Sequence, residues 1–168
     1  MEEEIKKEEV IEETKQPFEV IYVNQPEYVI RVMWPLIVEF DDTTKMPGMS
    51  PHTITAYMIE GIKYKNIEIW VVIEDGKPIG FATYQIMGFP YYSTGHFVSF
   101  YACKRKREVS DALTLKFLDF MERFNLKYWG YATGTEKLAV RFEERAKEMG
   151  FVVKRESFVF MGKRKLGG

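Results

Sequence analysis

The chain has 168 residues, of which 46% are hydrophobic, 15% aromatic and 29% charged. This length suits one globular core, and the composition excludes both a disordered chain and a membrane span. The net charge of −1 lacks the strong basic footprint of a nucleic-acid-binding protein. The lone Cys103 and the glutamates that follow Met1 indicate a cytoplasmic protein without disulfide or secretory signal, and we expect neither nucleic acid nor membrane as partner.

The amino-terminal third combines a charged segment with a strand and helices. Residues 1–16 hold seven Glu and three Lys, which predicts a flexible tail. A β-rich run predicts a strand over 18–23, and helical spacing of apolar residues from 28 to 40 predicts a helix that Pro35 kinks or divides. We expect a loop over 41–48. Ser50 and Pro51 then predict a capped helix that covers 53–62.

The rest of the chain alternates strands and helices. The Asp75-Gly76 pair predicts a tight turn between antiparallel strands. We predict strands over 67–73 and 79–86, a connection over 88–95, a strand over 96–103, a basic loop, a helix over 110–124, a strand over 128–133, a helix over 136–149 ended by Gly150, and strands over 151–154 and 158–161. Strands separated by helices favour an α/β (α+β) domain over 17–168, with a mixed sheet and helices on its faces.

This order of elements, together with residues 96–112, resembles the GNAT superfamily of acyl-CoA-dependent N-acyltransferases. The superfamily's diphosphate loop has the pattern Arg/Gln-x-x-Gly-x-Gly/Ala after the fourth strand, and the matching span runs from Arg107 to Ala112, with Ser110 in place of the first glycine. The ending Met149-Gly150-Phe151 is similar to the family's last helix and closing hairpin. The resemblance covers residues 17–163 and implies a GNAT-like, mainly antiparallel mixed sheet with helices on both faces.

The resemblance also implies acetyl-CoA as co-substrate. A diphosphate needs convergent backbone donors, which a helix N-terminus supplies. The serine at position 110 and the carboxylates of Glu108 and Asp111 depart from that requirement, and the basic run of residues 104–107 offsets them in part. Alternatively, Ser110 caps the helix and the basic run is a solvated loop. The implied cofactor-binding residues are Ala102, Arg107, Glu108, Val109, Ser110, Asp111 and Ala112.

Two side chains are candidates for the proton transfers of acyl transfer. His96 lies eleven residues before Arg107, where several family members carry a general base, and imidazole has a pKa near neutrality. The alternative is a strand-edge histidine without function. Ala146 stands where many members have a tyrosine acid, so either another phenol serves, with Tyr101, Tyr128 and Tyr131 as candidates, or the thiolate leaves unaided; we take Tyr101 as the catalytic candidate.

Strict alternation along the strand over 96–103 separates these candidates. It places Ser99, Tyr101 and Cys103 on one face of the sheet and His96 on the other. Cys103 is expected to be a small, half-buried residue rather than a nucleophile.

The acceptor pocket that the resemblance implies combines carboxylates with aromatic rings, a combination that suits a cationic amine. An ordinary acidic surface loop is the alternative. The substrate-binding residues that the resemblance implies are Glu39, Asp41, Asp42, Tyr91 and Tyr92. His52, one turn into its helix, is expected at the surface, and no metal-binding motif appears.

These residues together favour an N-acetyltransferase that moves an acetyl group from acetyl-CoA to a primary amine of a small molecule or protein. The alternative is a catalytically inactive GNAT-like binding or assembly module. A third class is an unrelated α/β protein that docks a partner through Phe89, Tyr91 and Tyr92. The motifs of serine hydrolases, phosphate-loop hydrolases and zinc enzymes are absent, and a homodimer stays open.

Overall fold

The computed structural model of the chain describes residues 17–44, 48–89, 92–131, 136–148 and 150. Its elements are β1 (Glu19–Val23), α1 (Pro26–Tyr28), a π-helical turn (Val29–Met33), α2 (Trp34–Thr44), α3 (Pro51–Tyr64), β2 (Ile67–Glu74), β3 (Lys77–Phe89), β4 (Tyr92–Ala102), α4 (Lys106–Arg123), β5 (Tyr128–Tyr131) and α5 (Glu136–Glu148). The predicted tail and the two predicted carboxyl-terminal strands lie outside these residues. No helix in the described ranges has the length and apolar content that crossing a bilayer requires.

The sheet has five strands in the order β1-β2-β3-β4-β5. The first four are antiparallel neighbours, and β5 is parallel to β4. A parallel pair needs a crossover, which α4 supplies. The prediction of a mixed, mainly antiparallel sheet is therefore confirmed.

Helices cover both faces of this sheet. Phe81 of β3 contacts Phe40 of α2 with ring centroids 5.5 Å apart. Tyr84, three residues further along the same strand, contacts Phe117 of α4 at 5.2 Å. Residues that are an odd number of positions apart in a strand point to opposite faces of the sheet. α2 and α4 therefore lie on opposite sides of this sheet, as predicted.

Two local signals in the sequence are confirmed. Asp75 and Gly76 both have positive φ, 50° and 72°, which is the geometry that a two-residue turn between β2 and β3 requires. Ser50 accepts a hydrogen bond on its hydroxyl oxygen from the Thr53 N–H at 3.2 Å, and Pro51 occupies the first helical position of α3. These interactions fix where each element begins.

The helical region around Pro35 differs from the prediction in two ways. Pro35 has no N–H with which to close an i→i−4 bond, and the residues before it form the π-helical turn. The loop predicted over 41–48 is wrong for its first four residues because α2 continues to Thr44. The hydroxyl groups of Thr43 and Thr44 donate to the carbonyl oxygens of Glu39 and Phe40, at 2.7 and 2.8 Å, and so satisfy acceptors in the last turn.

The β3–β4 hairpin is longer than predicted. The connection expected over 88–95 is instead largely paired strand, since β3 runs to Phe89 and β4 begins at Tyr92. Gly88 pairs with Ser93 in this ladder. A glycine in a paired strand is less common than one in a turn, which explains why the Gly-rich composition was misleading.

β4 has one residue more than the stretch of β3 that faces it. Thr83 pairs with Ser99, whereas its neighbour Tyr84 pairs with Phe97, so Val98 has no counterpart. Such a β-bulge changes which face the following side chains occupy.

α5 belongs to a second compact unit, residues 133–168. Within α5, Arg145 pairs with Glu148 at 2.6 Å and Lys147 with Glu143 at 2.7 Å. Gly150 follows with φ of 87°, as expected of a glycine that ends a helix. The single domain over 17–168 stays a prediction.

Candidate active site

The parallel strands β4 and β5 pair along all four described residues of β5. The ladder runs from Thr94 with Tyr128 to Phe97 with Tyr131. Beyond Phe97, residues 98–102 of β4 have no partner on this side among the described residues. We call this side of residues 98–102 the open edge, in the sense that none of the described strands pairs with it; unpaired backbone groups of a strand can hydrogen-bond an extended ligand.

The bulge at Val98 brings the two catalytic candidates to one face of the sheet. Gln85 pairs with His96 and Phe81 with Tyr101. Gln85 and Phe81 are four residues apart in β3 and therefore point the same way, so their partners do too. The prediction that His96 and Tyr101 lie on opposite faces is wrong, because strict alternation does not hold across a bulge.

His96 is half-buried beside β5. Its imidazole lies across Gly130, the residue with which it pairs. Burial lowers the pKa of His96, because desolvation penalises the charged ring. The imidazole is therefore neutral at pH 7 and able to accept a proton, as a general base must.

Tyr101 is hydrogen-bonded to α2. Its phenol donates to Glu39 Oε1 at 2.9 Å, and Thr43 Oγ1 lies 3.5 Å from the same oxygen. Burial raises the pKa of Tyr101, and the carboxylate of Glu39 raises it further. Tyr101 consequently keeps its proton at neutral pH and is a potential proton donor.

The first turn of α4 lies directly beyond the open edge of β4. Arg105 precedes the helix in the left-handed conformation, with φ of 43°, and its side chain does not cap the helix. The Val109 N–H bonds to the Arg105 carbonyl at 2.9 Å. The free amides of a helix belong to its first turn, so those of Lys106, Arg107 and Glu108 are the ones that could donate to an anion at this end.

This start of α4 corrects the predicted helix boundary, while the implied cofactor-binding residues stay a prediction. The helix expected over 110–124 begins at Lys106, which places Ser110, Asp111 and Ala112 in the second turn, where N–H groups bond within the helix. Ser110 is not an N-cap; its carbonyl instead accepts from Thr114 Oγ1 at 2.7 Å. Val109 and Ala112 are buried against the sheet.

Acidic side chains neutralise part of the basic run. Glu74, at the end of β2, is ion-paired with Arg105 and lies 4.0 Å from Lys104 Nζ. Arg105 also lies 3.6 Å from Glu108. Lys106 and Arg107 are exposed and form no ion pair within the described part of the chain, so their charges are available to an anion.

The structure places the implied acceptor residues unevenly. Glu39 joins Tyr101, as described, while Asp41 and Asp42 lie two and three residues further along α2. Tyr91 lies outside the described residues, and Tyr92 begins β4. Only Glu39 is thus brought to a catalytic candidate, and the set as a whole stays a prediction.

The remaining candidates occupy ordinary positions. His52 is exposed and packs on Trp34 with ring centroids 5.0 Å apart. Cys103 donates its S–H to the Ile79 carbonyl at 3.3 Å, and burial raises the pKa of its thiol, which disfavours a thiolate nucleophile. No group of three or more metal-binding side chains occurs among the described residues.

An open groove lies elsewhere, beside β1, β2 and the end of α4. Its walls include Tyr22, Trp70 and Arg123. The guanidinium of Arg123 donates to both carboxylate oxygens of Glu68 at 2.8 and 2.7 Å, and Trp70 Nε1 donates to the same carboxylate at 3.2 Å. These bonds join α4 to the sheet, so we assign the groove a structural role.

Sequence reasoning missed three residues of the site. Gly130 carries a signal, because glycine inside a strand often marks a close approach. Thr43 and Glu74 carry none, since their importance depends on partners 58 and 31 residues away.

Comparison with known proteins identifies the fold. No family model and no curated protein matches the chain. The crystal structure of a probable acetyltransferase has a TM-score of 0.70 at 12% identity and covers 88% of this chain and 99% of its own. A predicted acetyltransferase with acetyl-CoA from Clostridium acetobutylicum has a TM-score of 0.65 at 13% identity, with coverages of 86% and 96%.

A solved structure with a bound CoA conjugate is similar to the same extent. AAC(6')-Iy, in complex with the bisubstrate analogue CoA-S-monomethyl-acetylneamine, has a TM-score of 0.64 at 16% identity and covers 88% of this chain and 98% of its own. At such identities the likeness concerns the fold. The chain has the fold of acetyltransferases, and this fold is the one that the GNAT resemblance implied.

Proposed function

We propose that the chain is an N-acetyltransferase that transfers an acetyl group from acetyl-CoA to a primary amine. The observation that carries this proposal is the bulge at Val98 of β4, which turns His96 and Tyr101 to the same face of the sheet beside the open edge of residues 98–102. An open strand edge and two proton-transfer groups are thereby combined at one position on an acetyltransferase fold.

The donor binds along the open edge in this proposal. The amides of the pantetheine arm pair with the backbone of residues 98–102, and the diphosphate meets the first turn of α4 with Lys106 and Arg107. Two solved structures of this fold, one with acetyl-CoA and one with a CoA conjugate, support a CoA thioester as donor.

The reaction then proceeds by direct attack. Neutral His96 takes a proton from the acceptor ammonium, and the free amine attacks the thioester carbonyl to form a tetrahedral intermediate. Its collapse breaks the C–S bond and releases the CoA thiolate, while the nitrogen gives up its second proton to solvent and becomes the neutral amide; solvent in turn reprotonates Tyr101 after the turnover. Tyr101 supplies the proton that the thiolate takes up, and the carboxylate of Glu39 attracts the cationic acceptor.

The acceptor proposed first is a small-molecule amine. The similar structures include two aminoglycoside acetyltransferases, and Glu39 offers a negative charge beside Tyr101. A protein amine is the second candidate.

The alternative of an inactive GNAT-like module has support of its own. Ala146 replaces the family's usual tyrosine acid, and Ser110 replaces a glycine of the diphosphate loop. The second-turn position of Ser110 and Ala112 also withdraws their amides from a ligand.

One experiment separates these functions. Thiol release from acetyl-CoA is followed over a panel of diamines, aminoglycosides and lysine peptides, beside the melting temperature with excess acetyl-CoA. A ligand at 100 times its Kd stabilises the native state by about 2.7 kcal/mol, so an acetyltransferase shows both a shift and amine-dependent release. A shift without release indicates the inactive module, and no shift contradicts CoA binding altogether.

Matched histidine variants assign the base. We expect His96→Ala to lower kcat by about 100-fold while acetyl-CoA still shifts the melting temperature. His52→Ala, at the exposed histidine on α3, should match the wild type. Equal activity of the two variants would remove His96 from the mechanism.

A further inference from the structure

The imidazole of His96 occupies the space that a side chain at Gly130 would fill. A Cβ atom built on Gly130 would lie less than 3.0 Å from Cε1, Nε2 and Nδ1 of His96. Real Cβ atoms essentially never approach heavy atoms so closely. Three ring atoms are involved, so the clash concerns the body of the imidazole rather than a flexible end.

The pairing of the strands accounts for this contact. His96 and Gly130 are direct neighbours in the parallel ladder, one pair before its last described pair, Phe97 with Tyr131. Side chains of neighbouring residues on one face stand close together. A glycine on β5 lets the ring of His96 lie flat across the strand instead of standing away from it.

Glycine is otherwise unfavourable at this position. It weakens a strand interior because it loses much conformational freedom and has no side chain to pack. β5 has only four described residues, and its other members are Tyr128, Trp129 and Tyr131, which are strand-forming types. The close approach of the imidazole explains the exception.

We propose that Gly130 is a positioning residue, which holds the His96 imidazole across β5. A side chain at position 130 turns the ring outward and away from the reacting groups. This inference rests on the proposed function only for its catalytic consequence, because the placement of the ring can be measured by itself. Burial of the ring, which lowers the pKa of His96, agrees with the placement.

The variant Gly130→Ala tests the placement, with Gly88→Ala as its control. Gly88 lies in β3 with no atom within 4 Å of a Cβ built on it, and its φ is not in the left-handed region. NMR titration suits this chain, since His52 and His96 are its only histidines. In Gly130→Ala the pKa of His96 should rise toward its ordinary value as the ring becomes solvated, whereas in Gly88→Ala it should be the same as in the wild type.

Kinetics tests the consequence for catalysis. Misplacement of a catalytic group by about 1 Å costs up to about 100-fold in rate, and we expect Gly130→Ala to lower kcat by about tenfold or more. The KM for acetyl-CoA should change by less than about twofold, because backbone groups of β4 hold the donor. Gly88→Ala should match the wild type in both constants.

A double-mutant cycle keeps the test decisive if Gly130→Ala is poorly stable. The substitution should lower the melting temperature in the wild type but not in a His96→Ala background, where the space is free. Equal losses in both backgrounds would overturn the inference, as would an unchanged His96 titration. If the titration moves but no variant, wild type included, transfers acetyl groups, the placement holds and the proposed function fails.

Discussion

Tyr101 of β4 donates a hydrogen bond to Glu39 of α2 at 2.9 Å, although 62 residues separate them in the chain. The bond joins β4, which carries the open edge, to α2, which carries the carboxylate proposed to attract the acceptor amine. It also keeps the phenol protonated, since burial and the neighbouring carboxylate both raise the pKa of Tyr101. Several consequences of the site can be measured.

Replacement of Tyr101 by Phe tests the proposed proton donor. The variant keeps the ring, which packs against Phe40 at 5.8 Å, and loses only the hydroxyl. We expect kcat to fall by about 10- to 100-fold, since general acid catalysis contributes at least that much, with the KM for acetyl-CoA unchanged. The control is Tyr64→Phe, whose side chain is 66% exposed. Equal kcat in the two variants would show that Tyr101 only ties α2 to β4.

Replacement of Arg107 by Ala tests the diphosphate site at α4. The side chain is exposed, and an exposed charge contributes about 0.2–1 kcal/mol. We therefore expect the KM for acetyl-CoA to rise by about two- to fivefold at low salt, and this difference to shrink as salt screens the charge. Lys127→Ala, an exposed cation beyond the other end of α4, is the control. A salt-independent change would contradict an electrostatic role.

The pH dependence follows from the direction in which His96 is shifted. Its pKa is lower in the folded chain than the value of about 6.5 in an unfolded one, so the unfolded state takes up the proton first. The contribution of neutral His96 to the free energy of unfolding is complete above pH about 6.5 and is lost as the pH falls toward the pKa of the folded state. Melting temperatures of the wild type and His96→Gln, compared at pH 8 and 5, should show a steeper acid loss in the wild type. Parallel curves would contradict the shift.

Tyr84 supplies a test of the core that supports the site. It is fully buried, and its hydroxyl donates to the Leu113 carbonyl of α4. Removal of this bond in Tyr84→Phe leaves a buried acceptor short of one partner and should cost about 1–2 kcal/mol. For a chain of this length the melting temperature then falls by about 2–8 °C. Thermal unfolding checks the value, with the exposed Tyr64→Phe expected to be neutral.

Elements fixed by short-range chemistry were predictable from the sequence. Ser50 and Pro51 start α3, and Asp75-Gly76 closes the β2–β3 hairpin, because caps and two-residue turns depend on their own residues. The element order and the resemblance of residues 107–112 were enough to predict the fold.

Features that depend on distant partners were not predictable. The bulge at Val98 exists only in register with β3. The early start of α4 depends on the left-handed Arg105, a conformation that usually requires glycine, and Arg105 is held by Glu74, 31 residues away. Local patterns therefore could not predict which side chains of β4 share a face, or which turn of α4 is available to a ligand.

The unmatched residue of β4 has a consequence for the spacing of the catalytic pair. His96 and Tyr101 are five positions apart, and an odd spacing in an unbroken strand always sends two side chains in contrary directions. Because Val98 has no partner in β3, the two residues pair with β3 residues that are four positions apart, which is an even spacing. A strand that kept all of these residues but paired with β3 without the bulge would send the two side chains to opposite faces, whereas deleting Val98 would leave them four positions apart and on one face even in a regular ladder.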